Sequence, residues 1–277
     1  MIHVDKPSNP FESDYFEKGG PGSGNRGHAG RPGQRGGSAP KGEGGITPTG
    51  PVETPLSTPV VLPPPPAPDS TPPPQPVTPK YVPAKTLQEA HAYAKSLGIQ
   101  TYGLSVSKRE KQTLRAANKT NEGLAILHAQ GFPMPDTVIV DGAQFRGRFR
   151  AAAGMYSGNT DTLYMNPRAK FFGADGEEYV KNAEKIGFWS SGNSNHVLFH
   201  EMGHMAHRKN DLSAYISTRT KMADADKIRF KGQVSDYGLT ARTEFVAEVF
   251  AGHMAGKRYS KDVYDYYDAQ RGWPLKG

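Results

Sequence analysis

The sequence predicts an α+β fold for residues 85–277, preceded by a disordered, basic, Gly- and Pro-rich arm over residues 1–84. Two observations support this division. Composition changes near residue 84, because 20 of the 24 prolines lie at or before Pro83 and 13 of the 32 glycines lie between Gly19 and Gly50. Beyond that point the hydrophobic pattern runs through helices, a few short strands and helices again, which is the order typical of α+β domains.

The arm lacks the apolar residues that a core needs. Its Gly-rich part, residues 19–45, carries mostly basic charges, and its Pro-rich part, residues 47–83, contains the unbroken run Pro63–Pro66. Such a chain buries too little apolar surface to offset the entropy lost on ordering, and proline runs favour the extended polyproline II helix. We therefore expect a flexible arm on an extended stalk.

Hydrophobic spacing and turn residues predict the elements of the domain in order. Apolar residues at helical spacing, such as Leu114, Leu124 and Leu127, predict the longer helices, and Gly131 and Pro133 end the second of them. The predicted helices are 85–97, 108–130, 177–186, 196–209, 242–254 and 260–270, while the pattern over 222–230 is ambiguous and that segment is left unassigned. The predicted strands are 137–140, 145–157 and 162–166, with a turn at 158–161 between the last two.

Composition excludes several classes of site. The chain has no cysteine, which excludes disulfide frameworks, Cys-ligated zinc fingers, iron–sulfur clusters and a thiol nucleophile. No apolar run reaches about 18 residues, and the first ten residues lack the apolar stretch of a signal peptide. We therefore expect a soluble protein with no membrane partner.

The formal net charge of +7 permits loose association with nucleic acid or acidic surfaces, but it does not identify a specific partner. Arg146, Arg148 and Arg150 alternate along a predicted strand, so we expect them on one face of it. That face is either solvated or in contact with an acidic partner or nucleic acid.

One segment indicates a specific chemistry, His200-Glu201-Met202-Gly203-His204. Residues four apart on a helix lie on one face, so the two imidazoles can bind the same zinc ion. Glu201 lies one step around the helix, where its carboxylate can polarise a zinc-bound water. Leu198 and Met205 belong to the opposite, apolar face. A glycine at position 203 makes sense if another segment passes close to the helix.

A zinc peptidase needs three protein ligands and one open position. The metzincin pattern requires Gly at position 207 and His at position 210, but the chain has His207 and Asn210. The other common solution is a glutamate on a later helix. Glu244 and Glu248 lie four apart on one face of the helix predicted over 242–254, and two carboxylates there need partners. A zinc ion and a ligand histidine are such partners.

At these two segments, His200–His204 and Tyr237–Phe250, the sequence resembles the gluzincin-type peptidase domain of the anthrax lethal factor-like group, which includes Pro-Pro endopeptidases. The resemblance implies a zincin-like domain that binds Zn²⁺. The roles that it implies are as follows: His200, His204 and Glu244 as metal ligands, Glu201 and Tyr237 as catalytic residues, and Glu248 behind them, orienting a ligand histidine. The family often has Asn near position 241, where this chain has Ala241.

A second resemblance concerns short segments outside the metal-binding motifs. The segments Gly19–Ser38 and Phe250–Tyr259 are similar to stretches of tailed-phage head-morphogenesis and minor capsid proteins. This implies a phage or prophage origin and a location in the bacterial cytoplasm or the virion. It also implies phage head or portal proteins as partners of the arm.

These observations predict a zinc-dependent endopeptidase that hydrolyses a protein or peptide substrate, in virion assembly or in host-protein cleavage. The alternative is a phage minor structural protein whose zinc site is structural or inactive. A nucleic-acid-binding protein is a third class, which rests on the charge of the arm alone. The presence of Glu201 favours catalysis, because a structural site has no need for it.

Five further positions carry expectations. His196 is expected to start the helix or to lie behind the ligands, because a fourth histidine ligand would close the site. His207 is expected on the surface, and His253 either in packing or in solvent. Met155 and Tyr156 either line a strand that pairs with a peptide substrate or belong to the core.

Overall fold

The computed structural model describes residues 81–104 and 110–275, apart from the side chain of Arg148. Almost all of the predicted arm, with its boundary at residue 84, therefore lies outside the described residues. The described residues form an α+β fold of eight helices and one mixed four-stranded sheet, which confirms the predicted fold class.

Six of the eight helices lie close to the predicted ranges, and α6 lies within the segment 222–230 that had no definite assignment. They are α1 Leu87–Ser96, α2 Glu110–Ala129, α3 Gly176–Lys185, α4 His196–Asn210, α5 Leu212–Ser217, α6 Asp224–Phe230, α7 Arg242–Met254 and α8 Lys261–Ala269. Side chains cap several of them, since Thr86 accepts the N–H of Glu89 and Ser260 accepts the N–H of Val263. Within the described ranges, no helix combines the length and apolar character needed to cross a bilayer.

The strands are β1 Thr101–Leu104, β2 Thr137–Val140, β3 Gly154–Ser157 and β4 Thr162–Met165, in the sheet order β1-β2-β4-β3. β1, β2 and β4 are parallel, and β3 pairs antiparallel with β4. α2 provides the long crossover between β1 and β2 that a parallel pair requires. β3 is thus an edge strand, and it packs against α4.

α4 and α7 form the centre of the core. Gly203 lies where they cross, because a Cβ there would lie 3.0 Å from the Cα and 3.2 Å from the carbonyl oxygen of Ala247 on α7. The close approach expected at this glycine is therefore confirmed. Leu198 and Met205, on the apolar face of α4, are each 1% exposed, and Phe245 on α7 is fully buried. Two helices in such tight contact hold their polar residues in fixed relative positions.

The strand predicted over 145–157 is wrong in its first part. Residues Gly142–Gln144 and Gly147–Phe149 form two short 3-10 turns, and only Gly154–Ser157 is a strand. Gly147 has a φ of 55°, in the left-handed region that a strand cannot accommodate. Arg146 and Arg150 consequently flank a turn and do not share a strand face. The prediction also missed β1 and α5, two short elements with little periodicity.

Candidate metal centre

α4 brings two imidazoles of the His-Glu-x-x-His motif together. His200 and His204 are one helical turn apart, and their rings stand nearly perpendicular with centroids 4.8 Å apart. The Nε2 atoms of the two rings are 3.1 Å apart. Both nitrogens therefore face one point beside the helix.

α7 brings a carboxylate to the same point. Glu244 lies in the first turn of α7, and its Oε2 atom is 3.1 Å from His200 Nε2 and 3.3 Å from His204 Nε2. The three atoms form a nearly equilateral triangle. The structure thus brings together the three residues that the sequence predicts as metal ligands.

The triangle fits a divalent metal ion in size and in chemistry. Two ligand atoms bound at about 2.0–2.1 Å to a tetrahedral zinc ion lie ~3.3 Å apart, close to the edges observed here. Glu244 Oε2 is buried without an aligned hydrogen bond among the described residues, and a buried carboxylate is costly without such a partner. These residues can therefore hold a metal ion, and their donor set is one that zinc shares with other first-row divalent ions.

Charge within the triangle is strongly coupled. Burial alone would raise the pKa of Glu244, but the His204 and His200 imidazoles hold it well below its usual range. Burial would likewise lower the pKa of His200, but the Glu244 and Glu248 carboxylates raise it well above its usual range. A metal ligand histidine must present an unprotonated nitrogen, so metal binding here would favour the form of His200 that carries its proton on Nδ1.

Glu201 lies beside the triangle and is held by the edge strand. Its Oε2 atom accepts a hydrogen bond of 2.8 Å from the backbone N–H of Tyr156 on β3. The strand approaches this closely because residue 154 is glycine, where a Cβ would lie 2.8 Å from Glu201 Cγ and 3.1 Å from Val197 Cγ1. Burial raises the pKa of Glu201 above its usual range, although the nearby His200 and His204 imidazoles lower it in part.

Tyr237 packs beside the first ligand. Its ring centroid lies 5.4 Å from that of His200 and 5.6 Å from that of Phe188. The backbone N–H of Tyr237 donates to the carbonyl of Phe188 over 3.3 Å, which fixes the chain at this point. The structure therefore places this tyrosine next to the triangle, although it lies on a loop before α7.

Glu248 lies behind His200, on the side away from the triangle. The Nδ1–H of His200 donates to Glu248 Oε1 over 2.8 Å, while Oε2 accepts the Ser190 N–H over 2.8 Å and the Ser235 hydroxyl over 2.7 Å. A hydrogen bond at Nδ1 leaves the lone pair of Nε2 free to face the triangle. His204 Nδ1, by contrast, is buried without a hydrogen-bond partner among the described residues.

A second group with metal-binding residue types adjoins the first. It consists of His196, His200 and Glu248, which all are buried. His196 is the first residue of α4, and its Nε2 atom is 3.1 Å from Glu248 Oε1. The sequence offered two interpretations of His196, as a helix start or as a residue behind the ligands, and the structure shows both.

The expectation that His207 lies on the surface is wrong. Its side chain is fully buried, its Nε2–H donates to the Gln270 carbonyl over 2.8 Å, and its ring packs edge-on against Tyr215. The segment after α8 covers this side of α4, which periodicity along one helix cannot reveal. Burial lowers the pKa of His207 to about 4. His253 is half-buried, with Nδ1 2.9 Å from the Tyr264 hydroxyl.

Sequence reasoning missed the groups that hold Glu201 and Glu248. The Tyr156 and Ser190 donors are backbone N–H groups, which every residue except proline carries, so no residue type reveals them. Ser235 was also missed, since a serine before a tyrosine is too common to stand out. Tyr215, on the short α5, was missed as well, and burial together with the charges of Glu244 and Glu201 raises its pKa.

No known protein family, curated protein sequence or solved structure matches this chain.

Proposed function

We propose that this chain is a zinc-dependent endopeptidase of the gluzincin type, with a zincin-like domain. The observation that carries the proposal is the triangle of His200 Nε2, His204 Nε2 and Glu244 Oε2 with the Glu201 carboxylate fixed next to it. The three-residue donor set leaves a coordination position for water or substrate, as catalytic zinc sites do. A structural site is typically closed by four protein ligands.

The residues of the chain have separable roles in this mechanism. Zinc, when bound, supplies a Lewis acid that polarises the scissile carbonyl. Glu201 takes a proton from the attacking water and passes it to the amine nitrogen as the C–N bond breaks. Tyr237 donates its hydroxyl proton in a hydrogen bond to the carbonyl oxygen as negative charge develops there. Glu248 keeps His200 oriented through Nδ1.

The edge strand β3 supports a peptide as the substrate. Among the described residues β3 pairs on one side only, with β4, and it crosses α4 next to Glu201. An extended peptide that adds to a free strand edge gains main-chain hydrogen bonds. A peptide along β3 would therefore pass the triangle beside Met155, which is half-buried, whereas the Tyr156 side chain belongs to the core.

Glu201 also bears on the alternative, a phage structural protein with an inactive site. A purely structural metal site has no use for a carboxylate that a strand backbone holds beside the ligands, so the placement of Glu201 favours catalysis. The phage origin, the partners of the arm and a nucleic-acid role remain predictions from the sequence.

Metal analysis and a peptide-library cleavage assay test the proposal. The purified protein is expected to hold about one zinc ion per chain, and chelation should abolish hydrolysis. Glu201→Gln should keep the metal while losing roughly 10²–10⁴-fold in turnover. Tyr237→Phe should keep the metal and lose about 10²–10³-fold.

Glu178→Gln, at an exposed site on α3, is the matched control and should behave as wild type. Unchanged turnover in Glu201→Gln, with full metal content, would refute the peptidase mechanism. Unchanged zinc occupancy of Glu244→Ala under chelator competition would refute the ligand assignment.

A further inference from the structure

We propose that His196 is a positioning residue for the metal centre, which acts through Glu248 to hold the His200 ring with its Nε2 atom facing the triangle. The inference rests on the proposed function, since it needs a metal ion held by His200. Glu248 already supports His200 from behind, and the inference adds His196 and Ser191 as the groups that in turn support Glu248.

The position of His196 follows from the helix. It lies one turn before His200 on α4, so both rings reach the same side, with centroids 6.3 Å apart. Its ring stacks on Trp189 at 4.8 Å with an interplanar angle of 27°, and its side chain is 1% exposed. The ring is therefore immobilised on one face by the indole and cannot turn toward solvent.

The protons of this cluster can be assigned from their partners. An ionised carboxylate only accepts hydrogen bonds, so the contact of 3.1 Å between His196 Nε2 and Glu248 Oε1 is attractive only when Nε2 carries a proton. Ser191 Oγ lies 3.2 Å from His196 Nδ1, where its hydroxyl can donate to that nitrogen. Ser191 thus favours the form of His196 whose N–H faces Glu248.

His196 has a second reason to stay beside this carboxylate. Its Nε2 atom is buried without an aligned hydrogen bond among the described residues, so the negative charge of Glu248 is what compensates for the burial. The carboxylate is in turn held from three sides, by His196, by the Ser190 N–H and by the Ser235 hydroxyl. A carboxylate fixed in this way offers Oε1 to His200 in one orientation.

The geometry favours a proton over a second metal ion in this cluster. The distance of 2.8 Å between His200 Nδ1 and Glu248 Oε1 is that of a hydrogen bond. Two ligand atoms on a tetrahedral zinc ion would be farther apart, at ~3.3 Å. Glu248 Oε2 is already occupied by two donors, so the carboxylate has no second oxygen to offer a metal.

Two variants test this positioning role of His196. His196→Leu removes the N–H while keeping an apolar side chain against Trp189, and His196→Gln keeps an amide donor. Loss of an outer partner of a metal-bound histidine costs about 10–100-fold in metal affinity, so we expect that loss in His196→Leu and partial recovery in His196→Gln. His253→Leu is the control, because it removes a half-buried histidine from α7 that contacts Tyr264.

A spectroscopic measurement separates positioning from general destabilisation. In the zinc-loaded protein, the Nδ1–H proton of His200 should give a slowly exchanging, strongly downfield NMR signal. We expect it to shift and to exchange faster in His196→Leu but not in His253→Leu. Ser191→Ala, which removes one hydroxyl and little volume, should fold normally and show the same change to a smaller extent.

Each outcome decides the proposal. Wild-type zinc affinity and an unchanged His200 signal in His196→Leu would overturn it. Two zinc ions per wild-type chain, falling to one in His196→Leu, would overturn it in favour of a second metal site. Zinc affinity and the NMR signal are measured without substrate. A wild-type protein that binds zinc but hydrolyses no peptide would therefore contradict the proposed function without contradicting the positioning role of His196.

Discussion

Gly154 on β3 determines how closely the edge strand approaches Glu201, and its replacement by alanine tests that contact. The added Cβ would lie 2.8 Å from Glu201 Cγ and 3.3 Å from Glu201 Oε1. Carbon atoms in ordinary contact are about 3.5–4.0 Å apart, so the strand or the carboxylate must move by roughly 1 Å. Either movement breaks the hydrogen bond from the Tyr156 N–H to Glu201.

The size of the effect follows from that hydrogen bond. A hydrogen bond to a charged group contributes about 1.5–3 kcal/mol, which corresponds to a fall in kcat/KM of about 10- to 150-fold if the full amount is lost in the transition state. Zinc content should not change, because the three atoms nearest to the new methyl group belong to Glu201 and Val197 and not to a ligand.

Gly158→Ala is the matched control on the turn that follows the same strand. Its Cβ would meet Arg208 at 2.8 Å from Cδ and 2.9 Å from Nε, which is the end of a flexible side chain that can move aside. We expect near wild-type hydrolysis from this variant. The assay is kcat/KM on a peptide cleaved by the wild type, together with zinc content and Tm for both variants. Wild-type kcat/KM in Gly154→Ala, or a loss of zinc that explains its inactivity, would refute the reasoning.

Two further predictions concern stability. Because burial lowers the pKa of His207 from 6.5 to about 4, the unfolded chain binds a proton there between these values and the folded chain does not. The free energy of unfolding should therefore decrease as the pH is lowered, by about 2 kcal/mol between pH 8 and pH 5. Chemical denaturation of the metal-free protein should show no such component in His207→Gln. An equal pH dependence in both proteins would contradict this. Gly203→Ala should gain ~1 kcal/mol of helix propensity but lose about 1–3 kcal/mol to overpacking, since the new methyl meets the α7 backbone at Ala247. A lower Tm is expected, and zinc binding should weaken because α7 carries Glu244. An increase in Tm would show that α4 and α7 move apart at no cost in stability.

The placement of the motif residues on their helices could be predicted from the sequence because it depends on local geometry. A helix puts residues four apart on one face whatever surrounds it, so His200 with His204, and Glu244 with Glu248, follow from spacing alone. The same holds for the apolar face of α4 and for Gly203, whose lack of a side chain indicated a close neighbour. These local rules also predicted the bounds of α4 and α7 to within about one residue, inside the usual uncertainty of helix ends.

Only the tertiary structure decided how these faces meet. The triangle depends on the crossing of α4 and α7. The hydrogen bond that holds Glu201 comes from a backbone N–H of β3, a group that does not depend on residue type. The burial of His207 depends on the chain after α8, more than sixty residues away. The sequence by itself thus determined which side chains share a face. Long-range packing decided which faces are buried and which atoms touch, because burial and hydrogen-bond partners are properties of segments that are distant along the chain.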